Sequence, residues 1–347
     1  MKWFSTIAAA SVLVVAALLG ASPAPAQEVT LRLHTLIPPP ANPFKTFLKP
    51  WIEKVEAASN GRLKIEIYPS MQLGGKPPQL VDQARDGVVD IVWTLPGYTA
   101  GRFPIAEVFE LPFVHTDPLA TTLALQDFQA KYLQDEFKDY HVLLLHVHGG
   151  SLFMTKGVAI TSVDDLKGLK IRTATRVGGW FLESLGATPI GAPVPQVAQM
   201  LSKGVIDGAM LPYEIAPALK MQELATDFSI LSGDQTRMNT SLFAFLMNKD
   251  SYAKLPPDLK KVIDDNSGAN LAKLAGQNWA DIELAGQKVM ESKSKNKFHV
   301  IPASEVAKMK TAAGATIDRW LGQMKAKGLD GEAMLADARA MVAKYTK

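Results

Sequence analysis

Between Leu169 and Met210 the hydrophobic pattern alternates between short strands and helical stretches, and that alternation leaves few folds open. Leu169–Arg172 reads as a short strand, Thr173–Gly179 as a loop and Trp180–Leu185 as the start of a helix. Thr188–Gly191 is a second strand, Val194–Ser202 a second helix, and Val205–Met210 a third strand running into Leu211, Pro212 and Tyr213. Such a succession builds a mainly parallel sheet whose ligands sit outside its carboxyl strand ends. Arg172 stands at one of those ends. Its guanidinium is a planar fork of donors that matches a carboxylate and does not lose its charge.

An earlier part of the chain echoes this stretch. Val29, Leu31 and Leu33 alternate with polar residues as a strand, followed by the stiff loop Pro38-Pro39-Pro40. Asn42-Pro43 reads as a helix cap, and Phe44, Phe47, Leu48, Trp51, Ile52 and Val55 form one helical face. Leu63, Ile65 and Ile67 make a second strand, and Gly87–Trp93 a third, ending at Leu95, Pro96, Gly97 and Tyr98. Gly87-Val88-Val89-Asp90 before Leu95-Pro96 matches Gly204-Val205-Ile206-Asp207 before Leu211-Pro212. The offsets differ, so this is no strict repeat, but it implies two similarly wound α/β lobes facing a cleft.

The ordered set Gly168-x-Lys170-x-Arg172, Leu185-Gly186-Ala187-x-Pro189 and Gly204-Val205-Ile206-Asp207-Gly208 resembles the DctP-type solute-binding proteins of TRAP (tripartite ATP-independent periplasmic) transporters. The resemblance covers essentially the whole chain after residue 26. It implies an α/β, two-lobed periplasmic-binding-protein-like fold with an interlobe cleft and a long helix bracing both lobes. Residues 27–148 with 240–278 would form the first lobe, and 149–239 with 279–347 the second. Crossings are expected near His148-Gly149-Gly150 and Met238–Thr240, and nearly continuous helix over Pro257–Glu291. Function follows by the same resemblance: capture of a small organic carboxylate by closure, and delivery to a membrane permease driven by a sodium gradient.

Composition agrees and excludes alternatives. Of the 347 residues 47% are hydrophobic and 20% charged, ordinary for a globular protein with a large core. The formal charge is +3, or +2 once Lys2 is removed, too small to point to nucleic acid. The absence of cysteine removes disulfides, thiol catalysis, thiolate metal sites and a lipid-modified cysteine. Residues 1–26 have the layout of an export signal: Lys2, an apolar run of about 13 residues and Ala24-Pro25-Ala26. A periplasmic, untethered protein is therefore expected.

Arg172 is the expected carboxylate anchor, since the family's arginine at that position holds the ligand carboxylate; a structural ion pair with Asp164 or Asp165 is its alternative. Arg176 could meet the same carboxylate or the ligand's far end. Where many family members carry an asparagine, three residues after the Asp-Gly pair, this chain has Leu211, which disfavours a dicarboxylate or sugar acid. Trp93, Gly97, Tyr98, Trp180, Pro212, Tyr213 and Phe243 fall on strand ends or loops that face the family's cleft. Together they favour a monocarboxylate with an apolar or aromatic tail. His34, Glu214 and Asn239 are candidate polar contacts, Glu214 alternatively pairing with Arg176. His146 and His148 are an i, i+2 pair without further metal ligands nearby, so neither metal nor cofactor is expected. No G-x-S-x-G, H-E-x-x-H or P-loop pattern suggests an enzyme. A binding protein of an ABC or sensory system would share the fold class.

Overall fold

The computed structural model describes residues 29–346, and the export segment expected at 1–26 lies outside them. The chain opens with β1 (Val29–Thr35), β2 (Leu63–Tyr68), β3 (Ile91–Thr94) and β4 (Tyr140–Val147). It then crosses to a second sheet through β5 (Leu152–Thr155), β6 (Lys170–Thr173), β7 (Thr188–Gly191), β8 (Gly208–Leu211) and β9 (Asp227–Leu231). It returns as β10 (Leu242–Asn248), and β11 (Lys297–Ile301) completes the second sheet. The five-stranded order is β2-β1-β3-β10-β4, and the six-stranded order is β11-β9-β5-β8-β6-β7.

Each sheet is parallel except for one strand, β10 in the first and β5 in the second. Those are the strands entered directly after the two crossings. The crossings also bond to each other. Ser151 N donates to Asn239 O at 2.8 Å, and Thr240 Oγ1 donates to His148 O at 3.0 Å. Two α/β lobes are thus joined by a short two-stranded bridge.

Helices cover the sheets: α1 (Lys49–Ala58), α2 (Leu80–Arg85), α3 (Pro118–Tyr132), α4 (Arg176–Ser184), α5 (Val197–Ser202), α6 (Pro257–Asp265), α7 (Gly268–Glu291), α8 (Ala303–Ala326) and α9 (Gly331–Tyr345). The long helix α7 braces both lobes, and two glycines let it approach closely. A Cβ on Gly276 would stand 2.7 Å from Leu119 Cα in the first lobe, and one on Gly286 would stand 2.1 Å from Tyr213 O in the second. The expected continuous helix over 257–291 breaks at Asn266-Ser267. Ser267 is extended there, and Asn266 O accepts the Trp51 indole N–H at 2.9 Å instead of a helical bond. α9 lies on α3 of the first lobe, where Tyr345 and Lys344 both bond Asp127 at 2.9 Å. The end of the chain therefore returns to the first lobe, whereas the expected division places 279–347 in the second.

The internal echo marks two similarly wound lobes, as expected, but the echoed residues are not themselves strand. Gly87–Asp90 and Gly204–Asp207 are turns; β3 and β8 begin only at Ile91 and Gly208. Each aspartate fastens its strand to the neighbouring one. Asp90 Oδ2 accepts Arg32 N at 2.7 Å, and Asp207 Oδ2 accepts Lys170 N at 2.8 Å. α4 begins four residues earlier than the pattern suggests, because Thr175 caps it by accepting Gly178 N at 3.2 Å. Asn42 caps nothing: its Nδ2 reaches across to Glu214 O at 3.0 Å.

Candidate ligand-binding site

The strand ends of the two sheets face each other across a buried cavity. β3 supplies Trp93, the following loop Leu95 and Tyr98, β6 Arg172, and β8 with its loop Leu211, Pro212 and Glu214. Phe243 enters from β10, and His148, Ser151, Asn239 and Ser241 from the two crossings. About 40 Å³ is open to the centre of a water molecule, against the roughly 10–15 Å³ that one water needs. The space suits one small ligand.

Arg172 dominates its electrostatics. The residue is 2% exposed. Its Nε donates to Ala192 O at 2.8 Å and its Nη1 to Met210 O at 3.4 Å, which fixes the plane of the guanidinium. Nη2 is buried without a partner among the described residues. Burial pushes the arginine's pKa down, partly offset by the Tyr98 hydroxyl beside it; an arginine remains charged even so. The alternative ion pair does not form: Asp164 bonds Lys167 at 2.8 Å, and Asp165 caps Thr161 and Ser162.

One wall is aromatic. Trp93 and Phe243 stack with centroids 4.6 Å apart. The Trp93 indole N–H donates to His146 Nε2 at 2.9 Å, so the polar edge of that ring is satisfied away from the cavity. Burial pushes His146 down to about 3 and His148 well below its usual value; both rings are neutral. His148 has Gly150 N at 2.9 Å from Nδ1 and Ser241 N at 3.0 Å from Nε2, and a neutral imidazole accepts at one of these nitrogens.

Glu214 is the cavity's acid. Its Oε2 accepts Ile215 N at 2.9 Å, and its own N–H donates to Glu283 Oε2 at 3.0 Å. The neighbouring arginine, Arg237, bonds Glu283 at 3.2 Å instead. Burial, together with the Glu283 carboxylate, pushes Glu214 well above the usual range. The wall therefore presents one positive charge opposed by an acid held toward its neutral form.

Five of the expected contacts lie elsewhere. Arg176 turns to the other lobe and pairs with Glu107 at 2.6 and 2.7 Å. Trp180 lies outside the cavity under two guanidinium groups, Arg176 at 4.9 Å and Arg319 at 4.5 Å. Gly97 packs on Thr175, where a Cβ would meet Thr175 Cγ2 at 2.5 Å. Tyr213 is 2% exposed and lies beneath Arg237 at 5.3 Å. His34 is fully buried, bonded to Gln83 at 2.7 Å and to Leu73 N at 3.3 Å. Conversely, Leu36, Ile37, Val194 and Ile215 line the cavity, and no motif singles them out. The strand-end rule that marks Arg172 would have reached Leu36 and Ile37, which directly follow β1.

The closed arrangement is held by contacts between lobes. The Tyr98 hydroxyl accepts Val194 N–H at 3.0 Å, and the Arg176–Glu107 and Asn42–Glu214 bonds flank it. Among the described residues no group of three or more metal-ligating side chains occurs, and no helix is long and apolar enough to cross a membrane.

The family model for bacterial extracellular solute-binding proteins, family 7, matches residues 34–323. A marine metagenome TRAP solute-binding protein specific for aromatic acid ligands, solved with 3-hydroxybenzoate, is 48% identical, with a TM-score of 0.90 over 93% of this chain and 100% of that one. A TRAP solute-binding protein from Rhodoferax ferrireducens, solved with copurified benzoate, is 45% identical, with a TM-score of 0.89 over 91% and 98% of the two chains. The outer membrane transporter protein TsaT of Comamonas testosteroni is 30% identical over 94% of this chain and 96% of its own length.

Proposed function

Because the chain belongs to family 7 of the bacterial extracellular solute-binding proteins, we propose that it captures a small aromatic monocarboxylate in the periplasm and delivers it to a sodium-coupled TRAP permease. The observation that carries this reading is Arg172 Nη2, a buried charged donor on the cavity wall with no protein partner among the described residues. A desolvated guanidinium is stabilised by an anion, and a carboxylate fits its fork. The stacked Trp93 and Phe243 favour a flat apolar body behind that carboxylate. One uncompensated positive charge favours a single negative charge on the ligand. The two solved relatives that bind aromatic acids support the same class.

Closure provides the mechanism. In the open form Arg172 is hydrated and the lobes separate about the crossings. A carboxylate on Arg172 offsets its desolvation, and the Tyr98 loop then meets Val194. The ligand shifts the equilibrium by as much as it prefers the closed form. The test is calorimetric titration of ligand-free protein with benzoate, phenylacetate, succinate and glucuronate. Binding of the aromatic acids that disappears in Arg172→Met supports the proposal; preference for succinate or glucuronate overturns it.

A further inference from the structure

Two residues that line the cavity each carry a buried polar atom without a partner among the described residues: Arg172 Nη2 and Asn239 Oδ1. The first is a charged donor, answered by the ligand carboxylate. The second is an acceptor, and a buried acceptor without a donor carries a desolvation cost that a ligand donor relieves. The N–H of Ser241, two residues on, is directed to His148 instead.

Asn239 is also well positioned to discriminate. The residue is 3% exposed, and its backbone O accepts Ser151 N at 2.8 Å in the bridge between the crossings. Its neighbour Thr240 is fixed to His148 O at 3.0 Å. The amide is therefore presented by hydrogen-bonded backbone, which suits selection better than a mobile loop. We propose that Asn239 is a specificity residue that reads a donor on the ligand, so that the preferred ligands are aromatic monocarboxylates bearing a hydroxyl or amino substituent. This rests on the aromatic-carboxylate reading of the cavity and narrows it.

Calorimetric titration with benzoate and with its 2-, 3- and 4-hydroxy, amino and fluoro derivatives tests the proposal. Hydroxyl and amino groups donate, whereas fluorine of similar size cannot. At one ring position the hydroxy and amino compounds should bind at least about tenfold more tightly than benzoate, and the fluoro compound should not. In Asn239→Ala the ratio of the hydroxybenzoate affinity to the benzoate affinity should fall to about one, whatever the change in absolute affinity. A hydroxyl advantage that persists in Asn239→Ala, or a fluoro compound that matches the hydroxy compound, overturns the proposal. If Asn239→Ala does not fold, the wild-type series decides alone: no donor advantage at any ring position overturns it. Benzoate binding without a donor preference defeats Asn239 as the reader, whereas failure of every benzoate to bind defeats the aromatic reading, and this inference with it.

Discussion

Arg176 and Glu107 clasp each other across the cleft in a two-bond fork, at 2.6 and 2.7 Å. Arg176 opens α4 in one lobe, and Glu107 belongs to a single turn, Ala106–Glu110, in the other. Burial raises the Glu107 pKa and Arg176 counters that, so the pair belongs to the closed form. On the proposed closure both groups would regain water when the lobes part, and the fork would then act as a latch.

Arg176→Ala should consequently weaken every ligand alike, by about ten- to a hundredfold, because it leaves a buried carboxylate unpaired only in the closed form. The neutral pair Arg176→Met with Glu107→Gln should recover part of the loss. Small-angle scattering of the ligand-bound single variant should show a larger open fraction. A loss confined to one ligand would instead make Arg176 a ligand contact.

At Arg172 function and stability separate. Its Nη2 has no protein partner among the described residues, so the ligand-free closed fold carries an uncompensated buried charge. Arg172→Met should weaken aromatic-acid binding by about two to five kcal/mol, while leaving the melting temperature of the ligand-free protein, in which the guanidinium is hydrated, about unchanged. Thermal melts with and without benzoate check both halves. A variant that is destabilised and still binds would show the charge to be structural.

How far the sequence reveals this site depends on where each partner lies. Arg172 was legible because residue type and strand-end position are both local, and the same holds for Trp93, Leu211 and Phe243, which all line the cavity. Arg176, four residues on, looked equivalent. Its partner stands 69 positions away in the other lobe, and no local pattern reports such a pairing. His34 and Tyr213 differ for a related reason: His34 lies near the end of β1 and Tyr213 in the loop after β8, both at the right edge, but their neighbours turn them into the core. The turns before β3 and β8 read as strand because Val88-Val89 and Val205-Ile206 favour extended backbone; their aspartates bond the next strand, which periodicity does not encode. The two sheets and their crossings were legible because strand and helix periods persist over many residues.

Glu110 sets a pH dependence. Its Oε1 accepts Leu242 N at 3.0 Å, and burial pushes its pKa up from 4.5 to about 8. An acid whose folded pKa is raised contributes its full stability below the unfolded value and loses it as pH rises through the folded one. The window here runs from about 4.5 to about 8. Buried neutral histidines act the other way below their usual 6.5, with His115 and His146 both held down to about 3. The difference between Glu110→Gln and wild type isolates the acid: the variant's melting advantage should grow by several degrees from pH ~5 to pH ~9. A difference that stays flat over that range sinks the assignment.

Gly97 gives the sharpest test of closure, because the obstacle can be added and then removed. A Cβ there would stand 2.5 Å from Thr175 Cγ2 and 3.2 Å from Thr175 Cβ. Gly97→Ala should hold the lobes apart and weaken binding by about tenfold or more, with little change in the melting temperature of the ligand-free protein. Thr175→Ser deletes Cγ2 yet keeps the hydroxyl that accepts Gly178 N at the start of α4. In the double variant the nearest obstruction recedes to the 3.2 Å contacts, so affinity should return in part. If adding Thr175→Ser to Gly97→Ala restores no affinity, the methyl contact does not limit closure, and the loop that carries Tyr98 must be reaching the cavity by another path.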